Sequence, residues 1–163
     1  MDQSNGEHPY GDLGQLLLLG LFLVIWLGDS FVLHFSTFLA PYIPLAIRLL
    51  IMALALAAAF LLVKSGHVVI SHGSHGKLPT SLVTTGAFRF VRHPLYLGCL
   101  LVYSGLALAT ASLLSLALLG GVIFPFYNFL ATYEENLLEQ MFGESYPAYK
   151  HKTGKWLPKM KIK

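Results

Sequence analysis

The residue types best suited to chemistry fall in two short clusters, the first of which is basic. Arg89, Arg92 and His93 come directly before an apolar run that opens at Pro94. Proline suits the first turn of a helix, and it disfavours helical geometry in the residue before it. The basic cluster is therefore expected on a loop that ends at the mouth of a helix. The unpaired N–H groups and partial positive charge of such a mouth favour a bound carboxylate or phosphate.

The second cluster is acidic and consists of Glu134 and Glu135, which follow the same long apolar region. A charged group beside a membrane-length apolar segment is costly unless it faces water, headgroups or a polar ligand. Each cluster alone also has a plain structural interpretation, as a positively charged interfacial anchor or as an interfacial acidic pair. Their occurrence at the two ends of one apolar region favours a shared site.

The composition is that of a membrane protein. Of the 163 residues, 55% are hydrophobic and only 12% are charged, whereas a soluble domain has about 25% charged residues. We expect one domain spanning residues 1–163, with membrane lipids around it and no nucleic acid as a partner. The single cysteine excludes a disulfide framework. The polar, acidic N-terminus lacks the basic region of a cleavable signal, so the first apolar segment is expected to be retained.

The apolar runs predict an all-α, polytopic bundle of about four transmembrane helices. The apolar region from Pro94 to Leu130 is too long for one span and suits a hairpin that breaks at Ala111-Ser112. Gly120, Gly121 and Pro125 predict a kink in its second helix. The predicted spans are residues 13–39, 45–63, 94–110 and 113–132, with a cytoplasmic loop at 64–93 and a cytoplasmic helix and basic tail at 133–163 that should lie on the membrane surface.

The distribution of lysine and arginine sets the expected orientation. Four spans place the loop 64–93 and the tail 133–163 on one side, and most of the basic residues lie there. By the positive-inside rule that side is cytoplasmic, and a compact four-span chain suits a prokaryotic inner membrane. Both ends of the hairpin then open to the cytoplasm, so the basic and acidic clusters are expected to meet over one pocket.

Several other polar residues have open interpretations. Asp29 is either an intramembrane functional carboxylate or the interfacial end of the first span, and the latter is favoured because no basic partner lies one turn away. Arg48 lies near a helix end and can reach the headgroups. His67, His72 and His75 invite a zinc interpretation, but their spacing matches no familiar site, so we predict solvated histidines and no metal.

A pocket with cations on one wall and anions on the other, beside lipid, suits a zwitterionic and partly apolar ligand. S-adenosylmethionine has such chemistry, because its carboxylate suits Arg92 or the helix mouth and its ammonium and ribose hydroxyls suit Glu134 or Glu135. Its sulfonium suits the face of an aromatic ring such as that of Tyr96. No glycine-rich dinucleotide fingerprint competes with this interpretation.

Two motifs carry a resemblance to a known family. The first is Leu82-Val-Thr-Thr-Gly86, followed by Phe88 and Arg92-His-Pro-Leu-Tyr-Leu-Gly98, and the second is Glu134-Glu-Asn-Leu-Leu-Glu-Gln-Met-Phe-Gly-Glu-Ser-Tyr-Pro-Ala-Tyr149. Together they resemble the signatures of the isoprenylcysteine carboxyl methyltransferase and phospholipid methyltransferase superfamily. The resemblance covers roughly residues 77–158. It implies an integral membrane methyltransferase that uses S-adenosylmethionine on a lipid-like acceptor.

The resemblance also implies roles for individual residues. It places Leu82, Val83 and Gly86 on the adenosine side of the cofactor, and it assigns the remaining cofactor contacts to Arg92, His93, Tyr96, Glu134 and Glu135. Arg92 and Glu134 are the candidate catalytic residues. The expected acceptor is a prenylcysteine-type carboxylate or a similar small lipophilic molecule that enters from the bilayer. A carboxylate acceptor needs no general base, whereas an amine would need one, such as His93 or Glu134.

Two other functions are considered. Membrane sterol and steroid reductases share an Arg-His-Pro and bind NADPH, but Leu95 and Cys99 stand where they usually have Asn and Glu. A non-enzymatic membrane adaptor would bind neither cofactor. The chain also departs from the resembling family, because relatives often have a basic residue shortly before the paired glutamates and a Val-Pro-like ending. Here those segments are residues 128–133 and Thr153-Gly-Lys-Trp-Leu-Pro158.

Overall fold

A computed structural model describes residues 11–71 and 82–159, and for residues 67–71 it describes the backbone alone. These residues are largely helical and contain no strand beyond one isolated bridge, which confirms the predicted all-α class. The helices in chain order are α1 (Gly11–Leu27), α2 (Leu45–Ser71), α3 (Pro94–Thr110), α4 (Leu113–Leu118), α5 (Phe124–Phe142) and α6 (Ser145–Lys152). π-helical turns extend α1 over Gly28–Leu33 and join α4 to α5 over Leu119–Ile123, and 3-10 turns cover Ala40–Tyr42 and Gly86–Arg89.

Within the described residues, three stretches of helix are long and apolar enough to cross a membrane: Gly11–Leu33, Leu45–Gly66 and Leu113–Phe142. Helix α3 is also apolar but has 17 residues. Most of the large apolar side chains of α1 and α2 are exposed on the bundle, as expected for surfaces that face lipid. The chain is therefore an integral membrane protein by its apolar helices, and the number of four spans stays a prediction.

The first helix ends earlier than predicted. The predicted span continued to residue 39, but the helical backbone ends at Leu33 and His34 takes a left-handed conformation with φ 52°. The chain then folds back, because Asp29 accepts hydrogen bonds from the Ser36 backbone N–H at 2.8 Å and from the Ser36 hydroxyl at 2.5 Å. This local bonding competes with a continued helix.

The second helix ends later than predicted. We expected it to end at Val63 and to be followed by a polar loop, but α2 continues to Ser71. A single glycine such as Gly66 costs a helix only about 1 kcal/mol, and the apolar residues 68–70 follow it. His72 and His75 lie outside the described residues, and for His67 the backbone alone is described, so the predictions for these histidines stay predictions.

Helices α2 and α3 pack closely through small residues. A Cβ added at Gly98 would meet a Val63 methyl at 2.8 Å, and one added at Gly105 would meet the Ala55 methyl at 3.2 Å. Ala59, buried on α2, faces Gly98. Small residues at facing positions allow this close approach of two membrane helices. The contact fixes α3, which begins directly after His93.

The hairpin after α3 breaks where the sequence predicted. Ala111 has a φ of 53°, and the Ser112 hydroxyl accepts a hydrogen bond from the Ser115 N–H at the start of α4. The predicted irregularity in the next helix is the π-helical turn Leu119–Ile123, which contains both glycines. Pro125 lies in the first turn of α5, which ends at Phe142 with Gly143 as its C-cap.

Hydrogen bonds fix the end of the bundle that lies opposite Pro94. Asp29 is 1% exposed and accepts a further hydrogen bond from the Ser112 hydroxyl at 2.5 Å, which ties α1 to the hairpin turn. Arg48 donates to the carbonyl oxygens of Ala109 at 2.8 Å and Ile43 at 3.1 Å. Asp29 therefore lies at the end of the first span, as expected, but its carboxylate is buried and hydrogen-bonded to serines. Arg48 caps α3, which is favourable for a cation at a helix C-terminus.

Candidate active site

The two polar clusters meet at the start of α3. His93 precedes α3, and Glu134 and Glu135 lie in the last part of α5. The His93 Nε2 lies 3.0 Å from Glu135 Oε1, and its Nδ1 lies 3.5 Å from Glu134 Oε2. The His93 ring is almost completely buried. The hairpin therefore brings together residues that lie more than 40 positions apart in the chain, as the sequence predicted.

Glu135 is surrounded by cationic groups. Glu135 is only 4% exposed. Its Oε1 lies 3.3 Å from Arg92 Nε, and its Oε2 lies 3.6 Å from Lys150 Nζ. The contact with Arg92 does not have the geometry of a hydrogen bond, so the buried Arg92 Nε–H has no hydrogen-bond partner among the described residues. A buried donor without an acceptor is costly. The site therefore has one buried N–H that a further acceptor would satisfy.

Aromatic rings enclose His93 on two sides. The Tyr96 ring is stacked on it at 5.8 Å between centroids and an interplanar angle of 7°, and the Trp156 ring lies 6.0 Å away. The Tyr96 hydroxyl donates to Glu134. Burial alone would lower the pKa of His93, but hydrogen bonds and charges from Glu134 and Glu135 outweigh it and hold the pKa above its ordinary value of 6.5.

The C-terminal tail lies against the site, and its predicted position on the membrane surface stays a prediction. Val91 and Gly154 form a parallel bridge in which the Arg92 N–H donates to the Gly154 carbonyl oxygen at 2.9 Å. The Tyr149 hydroxyl donates to the Phe88 carbonyl oxygen at 2.6 Å, and burial raises the pKa of Tyr149 to about 12. These contacts hold the loop before α3 from its outer side.

Residues 153–156, which we call the strap, also bind α5. The Trp156 indole N–H donates to the Asn128 side-chain oxygen at 3.2 Å. The Lys155 ammonium donates to the Thr132 hydroxyl at 2.7 Å and to the Asn128 carbonyl oxygen at 3.3 Å, and burial lowers the pKa of Lys155. The strap thus joins the start of α3 to α5. These residues and Lys150 were not predicted as part of the site from the sequence, in which a tryptophan between basic residues is the one signal for them.

The first motif lies beside the ionic cluster but not within it. Leu82 and Val83 are half-buried in a segment without regular secondary structure, and Gly86 begins the 3-10 turn with a left-handed φ of 59°, which favours glycine. The next residue, Ala87, donates its N–H to the Ser65 hydroxyl of α2 at 2.8 Å. Among the described residues, this turn is therefore hydrogen-bonded to α2 and to Tyr149. The cofactor roles of Leu82, Val83 and Gly86 stay predictions.

A cavity of about 380 Å³ opens beside the same site, between α1 on one side and α3 and α5 on the other. Its lining residues are Asp12, Gln15, Leu16, Leu19, Cys99, Val102, Tyr103 and Tyr127. Tyr127 lies 5.3 Å from Tyr96 between ring centroids, so the cavity wall adjoins the aromatic wall around His93.

Comparison with known proteins identifies relatives of the site-bearing part of the chain. Residues 42–145 match the family model for phospholipid methyltransferase. This range covers more than half of the chain and includes the loop before α3, the hairpin and both glutamates. Helix α1 and the strap lie outside it.

Individual relatives are named for one activity. The chain is 33% identical over 92 residues to a protein-S-isoprenylcysteine O-methyltransferase of Schizosaccharomyces pombe, covering 56% of this chain and 38% of the relative. It is 35% identical over 77 residues to a probable protein-S-isoprenylcysteine O-methyltransferase of Oryza sativa subsp. indica, covering 47% of this chain and 40% of that relative. The chain thus spans well under half the length of these relatives.

Proposed function

Because the chain belongs to the phospholipid methyltransferase family, we propose that it is an integral membrane methyltransferase that uses S-adenosylmethionine. The observation that carries the proposal is the buried junction of Arg92 and His93 with Glu134 and Glu135 at the mouth of α3. The family implies the methyl donor, and the junction supplies charges of both signs in one place.

The residues present fit the donor. The Arg92 Nε–H is buried without a hydrogen-bond acceptor, and a carboxylate is the group that such a donor favours. Glu134, with its side chain 25% exposed, remains accessible to an ammonium group or to ribose hydroxyls. The Tyr96 ring lies beside both and offers a face to a cation. These three residues would hold the methionine end of the cofactor.

When bound, S-adenosylmethionine supplies an electrophilic methyl group on a positively charged sulfur. The chain's own residues orient the reactants and limit water around them. Glu135 holds His93 and Arg92 on one wall, and the Trp156 ring covers His93 from the strap side. Arg89 or Arg92 would orient a carboxylate acceptor, which needs no base. For an amine acceptor, His93 or Glu134 would accept the proton.

The proposed acceptor is a prenylcysteine-type carboxylate or a similar small lipophilic molecule that enters from the bilayer. Support comes from the names of the relatives and from the cavity beside Tyr96, which adjoins the lipid-facing surface of α1. The position of the basic residues supports an active site that faces the cytoplasm. The relatives named here are eukaryotic, so a prokaryotic inner membrane stays a prediction.

The test is transfer of a tritiated methyl group from S-adenosylmethionine to a panel of prenylcysteines, aminolipids and small thiols by the purified chain. We expect labelled product with a prenylcysteine, and stabilisation against heat by S-adenosylhomocysteine but not by NADPH. Glu134→Gln should abolish transfer, whereas Glu139→Gln, an exposed glutamate on the same helix, should retain it. Stabilisation by NADPH alone, or no effect of either ligand, would overturn the proposal in favour of a reductase or an adaptor.

A further inference from the structure

The strap lies beside the apolar part of α5 as well as beside the charged site. The Trp156 ring centroid lies 5.6 Å from that of Phe124, which is 41% exposed. Phe124 precedes Glu134, the first charged residue of α5, by ten residues, or about 15 Å of helix. The headgroup layer on each side of a bilayer is only about 5–8 Å thick. The strap therefore reaches the level of the bilayer interface.

The residue after the strap, Leu157, extends this apolar surface. Its side chain is 76% exposed, and it follows Trp156, which packs against Phe124 and near His93. A single exposed leucine has no special meaning on a soluble protein. Here it stands next to a tryptophan at interface level, and tryptophan is enriched where a membrane protein meets the headgroups. The exposed apolar surface of α5 is thus continued by the chain after α6.

Two lysines flank these apolar residues, and their charges are not neutralised by ion pairs. The Lys155 ammonium donates to the Thr132 hydroxyl and to a carbonyl oxygen of α5, and the Lys159 ammonium donates to two carbonyl oxygens at the end of α6. Neither ammonium is paired with a carboxylate among residues 11–71 and 82–159. An ammonium has three N–H donors, so each has one donor more than these neutral acceptors use.

We propose that the strap and residues 157–159 form a binding surface for anionic phospholipids of the adjacent leaflet. Lys155 and Lys159 bind the headgroup phosphates, because lysines at a membrane surface attract anionic lipids. Leu157 enters the outer part of the acyl-chain layer. The continuity of this surface with the exposed apolar side of α5 favours a lipid leaflet over a soluble acidic protein as the occupant.

The lipid contact would be linked to the site through the strap. The Gly154 carbonyl oxygen accepts the Arg92 backbone N–H at 2.9 Å, and the Trp156 ring lies 6.0 Å from the His93 ring. A leaflet that holds the strap therefore also holds the loop before α3. The lipid-binding surface goes beyond the proposed function and does not depend on it.

The first test measures how deeply Leu157 lies in the membrane. A nitroxide is attached at Leu157→Cys in a Cys99→Ala chain, with Glu144→Cys, an exposed position at the start of α6, as the control. In nanodiscs that contain phosphatidylglycerol, the nitroxide's collision rates are measured with oxygen, which concentrates in hydrocarbon, and with a neutral nickel chelate, which stays in water. We expect an oxygen-to-nickel ratio at least ten-fold higher at position 157 than at position 144.

Two results of this test would overturn the proposal. Equal ratios at the two positions would show that Leu157 faces water. Spin–spin broadening between labels at position 157 would assign the surface to a second copy of the chain instead. Because Leu157 is largely exposed, its replacement should leave the fold intact, which thermal unfolding of the labelled chain checks.

A second test uses the label at position 157 to examine the lysines. The oxygen-to-nickel ratio should fall at least three-fold in phosphatidylcholine alone, and also in anionic nanodiscs at high salt, because salt screens exposed charges. Lys159→Gln should cause a similar fall in anionic nanodiscs at low salt. Lys64→Gln removes one equal charge from α2, away from the strap, and should cause none. A ratio that depends on neither lipid charge nor Lys159 would overturn the assignment of anionic lipid. Neither test involves the methyl donor or acceptor, so failure here would leave the proposed function standing.

Discussion

Replacing Glu135 with glutamine is the most informative single change, because this carboxylate lies at the centre of the ionic cluster. Glutamine keeps the size and shape of the side chain and removes its charge. Glu139, one turn further along α5, is a matched control: its carboxylate lies 3.6 Å from the same Lys150 ammonium, the distance that also separates Lys150 from Glu135. The two side chains differ in burial, at 5% and 47% exposed, and in their other partners.

The expected magnitude follows from what each substitution leaves behind. Glu135→Gln leaves the buried guanidinium of Arg92 without its counter-charge at 3.3 Å, an attraction of about 5 kcal/mol at an effective dielectric constant of about 20. Breaking a buried pair in this way costs roughly 3–5 kcal/mol in free energy of unfolding. Glu134 still faces His93, and Glu139 still faces Lys150, so we expect the lower value, about 3 kcal/mol.

The control predicts a much smaller effect. Glu139→Gln removes a solvent-exposed pair, which contributes about 0–1 kcal/mol. For a chain of this length, about 3 kcal/mol corresponds to a decrease in Tm of roughly 6–12 °C, and 1 kcal/mol to less than about 4 °C. Thermal unfolding of both variants in the same nanodiscs measures the difference, at low and at high salt.

Raised salt should reduce the small effect of Glu139→Gln and leave that of Glu135→Gln nearly unchanged, because buried charges are screened less than exposed ones. Equal decreases in Tm for the two variants would refute the reasoning, since they share a net-charge change and a lysine partner. A Glu135→Gln protein as stable as the unsubstituted one would show that the cluster is not a stabilising contact.

Three further predictions concern other parts of the site and the bundle. The pKa of His93 is held above 6.5, so protonated His93 stabilises the folded protein fully below pH 6.5, and this stabilisation is lost as the pH rises through the raised pKa. Tm should therefore fall over that pH range. The His93→Gln variant should show no such fall. Gly154→Ala places a Cβ against the Leu157 carbonyl oxygen and should displace the strap. The affinity for S-adenosylhomocysteine, measured by calorimetry, should then fall at least ten-fold. Gly120→Ala, whose Cβ would lie in open space, should leave this affinity unchanged. Asp29→Asn replaces an acceptor of serine hydrogen bonds with a group that is half donor, and should lower the free energy of unfolding by about 1–3 kcal/mol without changing the KM for either substrate.

The contact between the basic and acidic clusters could be predicted from the sequence, because it depends on features that have a strong local sequence signal. Pro94 defines the start of α3, and the length of the apolar region requires a hairpin with both ends on one side. Once the hairpin is accepted, residues just before its first helix and late in its second must come close together. The same logic places Tyr96, one turn into α3, beside Glu134.

The contacts of the strap could not be predicted from the sequence, since nothing local in the sequence indicates its partners. Its pairing with Val91 is one isolated bridge with no alternating pattern around it. A basic segment with exposed aromatic residues is also typical of a membrane-surface helix. The partners of Asp29 could not be predicted for a related reason: they are Ser112, 83 positions along the chain, and Ser36 after a reversal, and not a basic residue one turn away.

The strap has a consequence for biogenesis. Ribosomes add about 5–20 residues per second, so roughly 3–13 s pass between the synthesis of His93 and that of Trp156. During this interval the outer side of the loop before α3 stays uncovered. A nascent chain arrested before Gly154 would hold its membrane helices without the contacts that join this loop to α5.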